Sequence, residues 1–217
     1  MDRWATFDCY GTLVDWDAGI ASVVGEEQLA RYHELEPQIQ AESPVLSYRE
    51  VMREVLRRLE FADADALGRS LPGWPVFPEV PGALESARER GWKLAILSNT
   101  DRDFIEASIA SIGVPFELAI VASEIGSYKP SLGHWQAFEE RIGRLPDAHV
   151  AASHFHDVVP ATNLGIPTVW INRLLETAEP RPSRELPNLE NLSDTLDELY
   201  LHRIKRGLNS GLHVWPR

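Results

Sequence analysis

Trp4-Ala5-Thr6-Phe7-Asp8-Cys9-Tyr10-Gly11-Thr12-Leu13-Val14 is an apolar run that ends in a carboxylate, a glycine and a hydroxyl. A buried strand feeding a glycine-containing loop has this composition, and it places Asp8 at the strand's C-terminal end. In open α/β sheets ligands bind at that edge. The same rhythm returns downstream. A helix over about 82–90 ends at Gly91, and Lys93-Leu94-Ala95-Ile96-Leu97 reads as a buried strand stopping at Ser98-Asn99-Thr100. Helix 103–112 ends at Gly113, and Leu118 to Val121 is a further strand. Residues 131–142 read as helix, 149–153 as a weak strand, 168–171 as a stronger one, and 193–201 as the last helix, with a basic, irregular tail from His202 to Arg217. Strands alternating with helices predict an α/β fold on a parallel sheet with right-handed crossovers.

Residues 17–72 follow a different period. Ile20, Val23, Val24, Leu29, Tyr32, Leu35 and Ile39 recur at helical spacing, and Val51, Val55, Leu56 and Leu59 repeat the pattern. Ser47 with Glu50 three residues on has the spacing of a capping box. Pro72, Pro75, Pro78 and Pro81 mark a linker that resists regular structure. The chain therefore divides into a core of residues 1–15 and 79–217 and an all-helical insertion, with its linkers, at 16–78.

Composition narrows the partners. The 217 residues carry 21 Lys+Arg against 33 Asp+Glu, a net charge of −12, so the basic face of a nucleic-acid binder is not expected. An anionic substrate then needs a local cation. One cysteine, Cys9, excludes an intramolecular disulfide and a CxxC metal site; beside Asp8 it reads as a core residue and not a catalytic one. No stretch approaches about 18 apolar residues, and no leader precedes Asp8, so a cytoplasmic protein without a membrane partner is expected.

Four strand ends converge on one sheet edge: Asp8 with Thr12, Ser98 with Asn99, Lys129 with Pro130, and Ser153-His154-Phe155-His156-Asp157. Each alone is ordinary loop chemistry; four in order on consecutive strands make a site. A nucleophilic Asp must stay ionised, and a neighbouring Lys lowers its pKa and neutralises an intermediate. Ser98 and Asn99 are placed to bind substrate or orient Asp8.

These residues resemble the haloacid dehalogenase superfamily along nearly the whole chain. Phe7-Asp8-Cys9-Tyr10-Gly11-Thr12-Leu13 is similar to its first motif, Leu97-Ser98-Asn99 to its second and Tyr128-Lys129-Pro130 to its third, while Asp157 sits where the fourth ends. The helical insertion resembles the family's cap. The resemblance implies a Rossmann-like core, attack by Asp8 and hydrolysis of the resulting ester.

Two branches separate at position 10. Phosphatases of the superfamily carry a second Asp two residues after the nucleophile and an acidic pair near the fourth motif; here those positions are Tyr10 and Ser153. Tyr10 is no base near pH 7, and Mg²⁺ wants several hard oxygens, of which Asp8 and Asp157 are the side-chain candidates. An aromatic residue there, with Ser-Asn at the second motif, is similar to the 2-haloacid dehalogenases, which need no cofactor. The resemblance implies that Asp8 displaces halide, Lys129 pairs with it, Thr12 and Ser98 fix carboxylates, Asn99 meets the halide and Tyr10 lines the substrate site. It makes Arg31 the candidate cap arginine and Asp157 the base, with His154 or His156 assisting, while Trp135 replaces a usual Tyr. Trp16 and Trp74 either line a pocket or pack. Lys129, with Arg31, is expected to draw in the small anionic substrate. Homodimers are common in similar proteins. The alternatives are a Mg²⁺-dependent phosphatase and a catalytically weak binding protein.

Overall fold

Strands form where apolar runs are covered on both faces. The computed structural model describes residues 2–209 and the side chains of 2–205. It places β1 at Arg3–Phe7, β2 at Trp92–Ser98, β3 at Leu118–Val121, β4 at Ala148–Ala151, β5 at Thr168–Ile171 and β6 at Arg184–Leu186. All pair in parallel, in the order β3-β2-β1-β4-β5-β6. Alternate residues serve opposite faces: Ala5, Phe7, Leu94 and Ile96 enter one core, and Trp4, Ala95 and Leu97 the other. The chain builds outward from β1 through β2 to β3, then returns to β1's other side and continues through β4. The direction reverses between β1 and β4, so the crevice beyond their C-terminal ends is where this topology opens a site.

Four helices lie between β1 and the next core helix: α1 (Trp16–Val24), α2 (Glu26–Glu42), α3 (Tyr48–Arg58) and α4 (Ala66–Ser70), before α5 (Val80–Glu89). Their buried residues, Ile20, Tyr32, Leu35, Ile39, Val51 and Val55 among them, join the larger core. The Ser47–Glu50 capping box forms in both directions. At Gly19 a Cβ would lie 2.3 Å from the Trp74 ring, so only glycine lets α1 approach that indole. The core continues through α6 (Arg102–Ile112), α7 (Ala122–Ile125), α8 (Gly133–Ile142), α9 (Val159–Asn163) and α10 (Leu192–Asn209). Among the described residues no helix is long and apolar enough to cross a membrane.

The structure corrects the sequence reading in several places. Helix α5 begins inside the proline linker, at Val80, because Pro81 sits in the first turn, where its missing N–H has no helical partner to lose. Helix α10 runs to Asn209 instead of ending near Leu201; Arg203 holds the extra turns by donating to Asp147 at 2.9 Å. Strand β6 was not expected, since three residues show no periodicity and pairing with β5 alone recruits them. The rest of the tail, 210–217, lies outside the described residues.

Candidate active site

Asp8 leaves the end of β1 into a tight loop in which the Leu13 and Val14 amides donate to Cys9 O at 2.7 and 3.0 Å. Gly11 turns the chain with φ +84°, a conformation that costs glycine little. The turn returns Thr12 beneath Asp8, and its hydroxyl donates to Asp8 Oδ2 at 2.9 Å while accepting the Ala152 amide at 2.9 Å. That pair ties the first loop to the end of β4.

Lys129 is 2% exposed, and its ammonium donates to Asp8 Oδ1 at 2.8 Å, Asp157 Oδ1 at 2.6 Å and Leu97 O at 2.9 Å. An ammonium has three donors, so all are committed inside the protein. Lys129 binds three strand ends together. Asn99 secures it from behind, its Nδ2 donating to Lys129 O at 3.0 Å and its Oδ1 accepting the Lys129 amide at 2.6 Å. Ser98 reaches the same cavity, and its buried hydroxyl has no partner within the protein.

One cation between two carboxylates cannot satisfy both equally. Burial works against ionised Asp157, yet Lys129 and His149 together hold it down at about 2. Burial pushes Asp8 above the ordinary 3.8, with the Asp157 charge adding to it against the pull of Lys129. Lys129 thus lowers the Asp8 pKa as expected, but burial outweighs it and the net direction is upward.

His149 is the residue sequence reasoning missed. It is fully buried on β4, its Nε2 2.9 Å from Asp157 Oδ1 and its Nδ1 2.9 Å from Thr6 Oγ1. An ionised Asp157 only accepts, so Nε2 carries a proton. Replacing His149 by Leu should lower stability by about 1.5–3 kcal/mol at pH 7, the range for a lost bond to a buried charge, measurable by urea denaturation. The sign follows from Asp157: its depressed pKa stabilises the fold above the unfolded value of 3.8, and this is lost as pH falls through about 2. Raising that pKa shrinks the term.

The other candidates separate clearly. A cavity of about 600 Å³ beside Asp8 is lined by Tyr10, Ser98, Asn99, His156 and Asp157. Tyr10 turns its hydroxyl 3.1 Å from Ser108 Oγ, and burial raises its pKa. His156 lies 3.1 Å from Ser153 Oγ, and burial lowers its pKa, keeping the ring neutral at pH 7. His154 faces elsewhere: its Nε2 is 2.9 Å from Pro180 O and its ring lies against Trp170. Arg31 lies on the outer face of α2, paired with Glu34 at 2.6 Å, and does not line the cavity. Both are corrected as site residues. Arg173, after β5, does line the cavity, but its Nη2 donates to Glu79 at 2.7 Å and Thr12 O at 3.1 Å. Trp16 lines the cavity, whereas Trp74 and Trp135 are buried. Cys9 is buried, its thiol pKa pushed up.

The donor set does not match a Mg²⁺ site. Among the described residues no three His, Cys, Asp or Glu side chains are placed to hold a metal ion. The two carboxylates already share an ammonium, and Tyr10 and Ser153 stand where further hard oxygens would be needed.

A family model described as haloacid dehalogenase-like hydrolase matches residues 3–152. The chain belongs to this family. An (S)-2-haloacid dehalogenase of Pseudomonas sp. (strain YL) is 34% identical over 100 residues, covering 45% of this chain and 43% of that protein. A phosphoserine phosphatase of Thermus thermophilus is 30% identical over 127 residues, covering 57% of this chain and 51% of that protein. The chain thus matches about half the length of each. The solved L-2-haloacid dehalogenase from Xanthobacter autotrophicus, with chloropropionic acid covalently bound, superposes with a TM-score of 0.75. At 20% identity over 91% of this chain and 99% of that one, the likeness establishes the fold of a haloacid dehalogenase-like hydrolase.

Proposed function

We propose that this protein hydrolyses the carbon–halogen bond of small 2-haloalkanoic acids without a metal, through an ester on Asp8, with the helices of residues 16–78 closing over the site. One observation carries the reading: Tyr10, turned to Ser108, occupies the position where a second carboxylate would protonate a leaving group. A halide leaves with the bonding pair and needs no proton. An Asp8 oxygen attacks C2, the C–O bond forms and the C–X bond breaks. Water then adds to the Asp8 ester carbonyl, releasing the 2-hydroxy acid and restoring the carboxylate. The water's proton passes to neutral His156, whose charge Asp157 stabilises, and on to the departing 2-hydroxy oxygen; Asp157 itself, held at about 2 by Lys129 and His149, is the weaker acceptor. The Pseudomonas relative supports this choice of substrate.

The test is chloride release from 2-chloropropionate with EDTA present. Release that EDTA leaves unchanged is expected; no chloride, with phosphate esters hydrolysed in a magnesium-dependent way, would overturn the proposal in favour of the phosphatase reading that the Thermus relative supports. The pH profile gives a second check. Asp8 reacts only when ionised and its pKa lies above 3.8, so kcat/KM should rise about tenfold per pH unit along an acid limb that levels above that value.

A further inference from the structure

The cations and anions of the cavity are unequally matched. Lys129 and Arg173 line it; Lys129 gives all three donors to the protein, while Arg173 pairs with Glu79 through Nη2 and leaves its Nε without a partner among the described residues. Glu36, on α2, lines the same cavity and forms no ion pair among the described residues. Its carboxylate is held by neutral donors only. Gln40 Nε2 donates to Oε1 at 3.1 Å, the Tyr48 hydroxyl approaches Oε2 at 3.5 Å, and Trp16 Nε1 donates to the Tyr48 hydroxyl at 3.0 Å. His33, the nearest basic ring on α2, is stacked on Trp16 and lies 3.0 Å from Asp17. Burial pushes Glu36 up to about 7. A carboxylate in this position either takes a proton or finds a counter-ion.

Its surroundings suit a cation. Trp16, Tyr48 and Tyr10 line the same wall, with Tyr10 and Tyr48 stacked at 6.2 Å between ring centroids. Aromatic faces attract ammonium groups, and a carboxylate among them adds a directed partner. We propose that Glu36, with Trp16 and Tyr48, forms a subsite for an ammonium group, so that the substrates are zwitterionic 2-halo acids carrying an amine distant from the halogenated carbon. This rests on the dehalogenase reading and gives its substrate class.

The experiment compares 6-amino-2-chlorohexanoate with 2-chloroheptanoate, in which a methyl group replaces the ammonium, at pH 8 where Glu36 is ionised. The ammonium substrate should have a kcat/KM about tenfold higher or more, and Glu36→Gln should collapse that ratio. Equal or reversed preference, with chloride released from both, overturns the subsite and leaves dehalogenation standing. No chloride from either while 2-chloropropionate releases it overturns the substrate class and leaves dehalogenation standing; no chloride from all three defeats the dehalogenase reading. The subsite is then decided by calorimetric titration with n-butylammonium and 1-butanol. Preferential ammonium binding that Glu36→Gln removes supports it, and no preference overturns it.

Discussion

Asp8→Asn should lower halide release from 2-chloropropionate by roughly 10⁴-fold or more, the scale seen when an attacking group is removed, while leaving the protein folded. The fold should survive because asparagine keeps the shape and both contacts. Its oxygen can accept from Lys129, and its amide can donate to the Thr12 hydroxyl, which already accepts from Ala152. One of two buried carboxylates facing a single ammonium is also removed, relieving the repulsion that raises the Asp8 pKa. Activity and stability therefore part company. Halide release by ion chromatography and a thermal melt measure the two. Release within about tenfold of wild type would remove Asp8 as the nucleophile. Wild type quenched in acid during turnover should yield a peptide containing residue 8 heavier by the bound alkanoate; the variant should not.

The site's frame was legible because sequence order and strand periodicity together put Asp8, Thr12, Ser98, Lys129 and Asp157 at one sheet edge. A buried apolar run identifies a strand, and its last residue is then positioned by topology alone. His149 escaped because within a strand of four buried residues nothing marks which face meets Asp157. Arg31 was misplaced for a geometric reason. Tyr32, Leu35 and Ile39 fix the buried face of α2, and at about 100° per residue Arg31 lies about 140° from Glu36. The same helix thus turns the arginine to solvent and the glutamate into the cavity. Neither β6 nor α7 was visible, since elements of three and four residues are held by tertiary pairing and not by periodicity. The commitment of Lys129 to three internal acceptors needed distances, as did the unpartnered charge of Glu36.

Lys129→Met should both abolish halide release and destabilise the protein by about 3–5 kcal/mol at neutral pH, the range for breaking a buried ion pair from one side. Methionine fills similar space, so the loss is electrostatic: Asp8 and Asp157 remain buried together with no shared cation, and Leu97 O loses its donor. The pH dependence distinguishes this from a packing defect. In the wild type Asp157 lies at about 2, below its unfolded 3.8, so its stabilisation is present above 3.8 and lost toward acid. Without the ammonium, burial and mutual repulsion raise the folded carboxyl pKa values above 3.8. A carboxyl so raised favours the fold while protonated and disfavours it as pH climbs through the raised value. The stability gap between wild type and variant should therefore widen from pH 5 to pH 7.5 in urea titrations. A gap of the same size at both would mean that Lys129 contributes only volume. In the variant Asp8 also stays protonated further toward neutral pH, so the charge that holds the strand ends together is the one that keeps the nucleophile ionised.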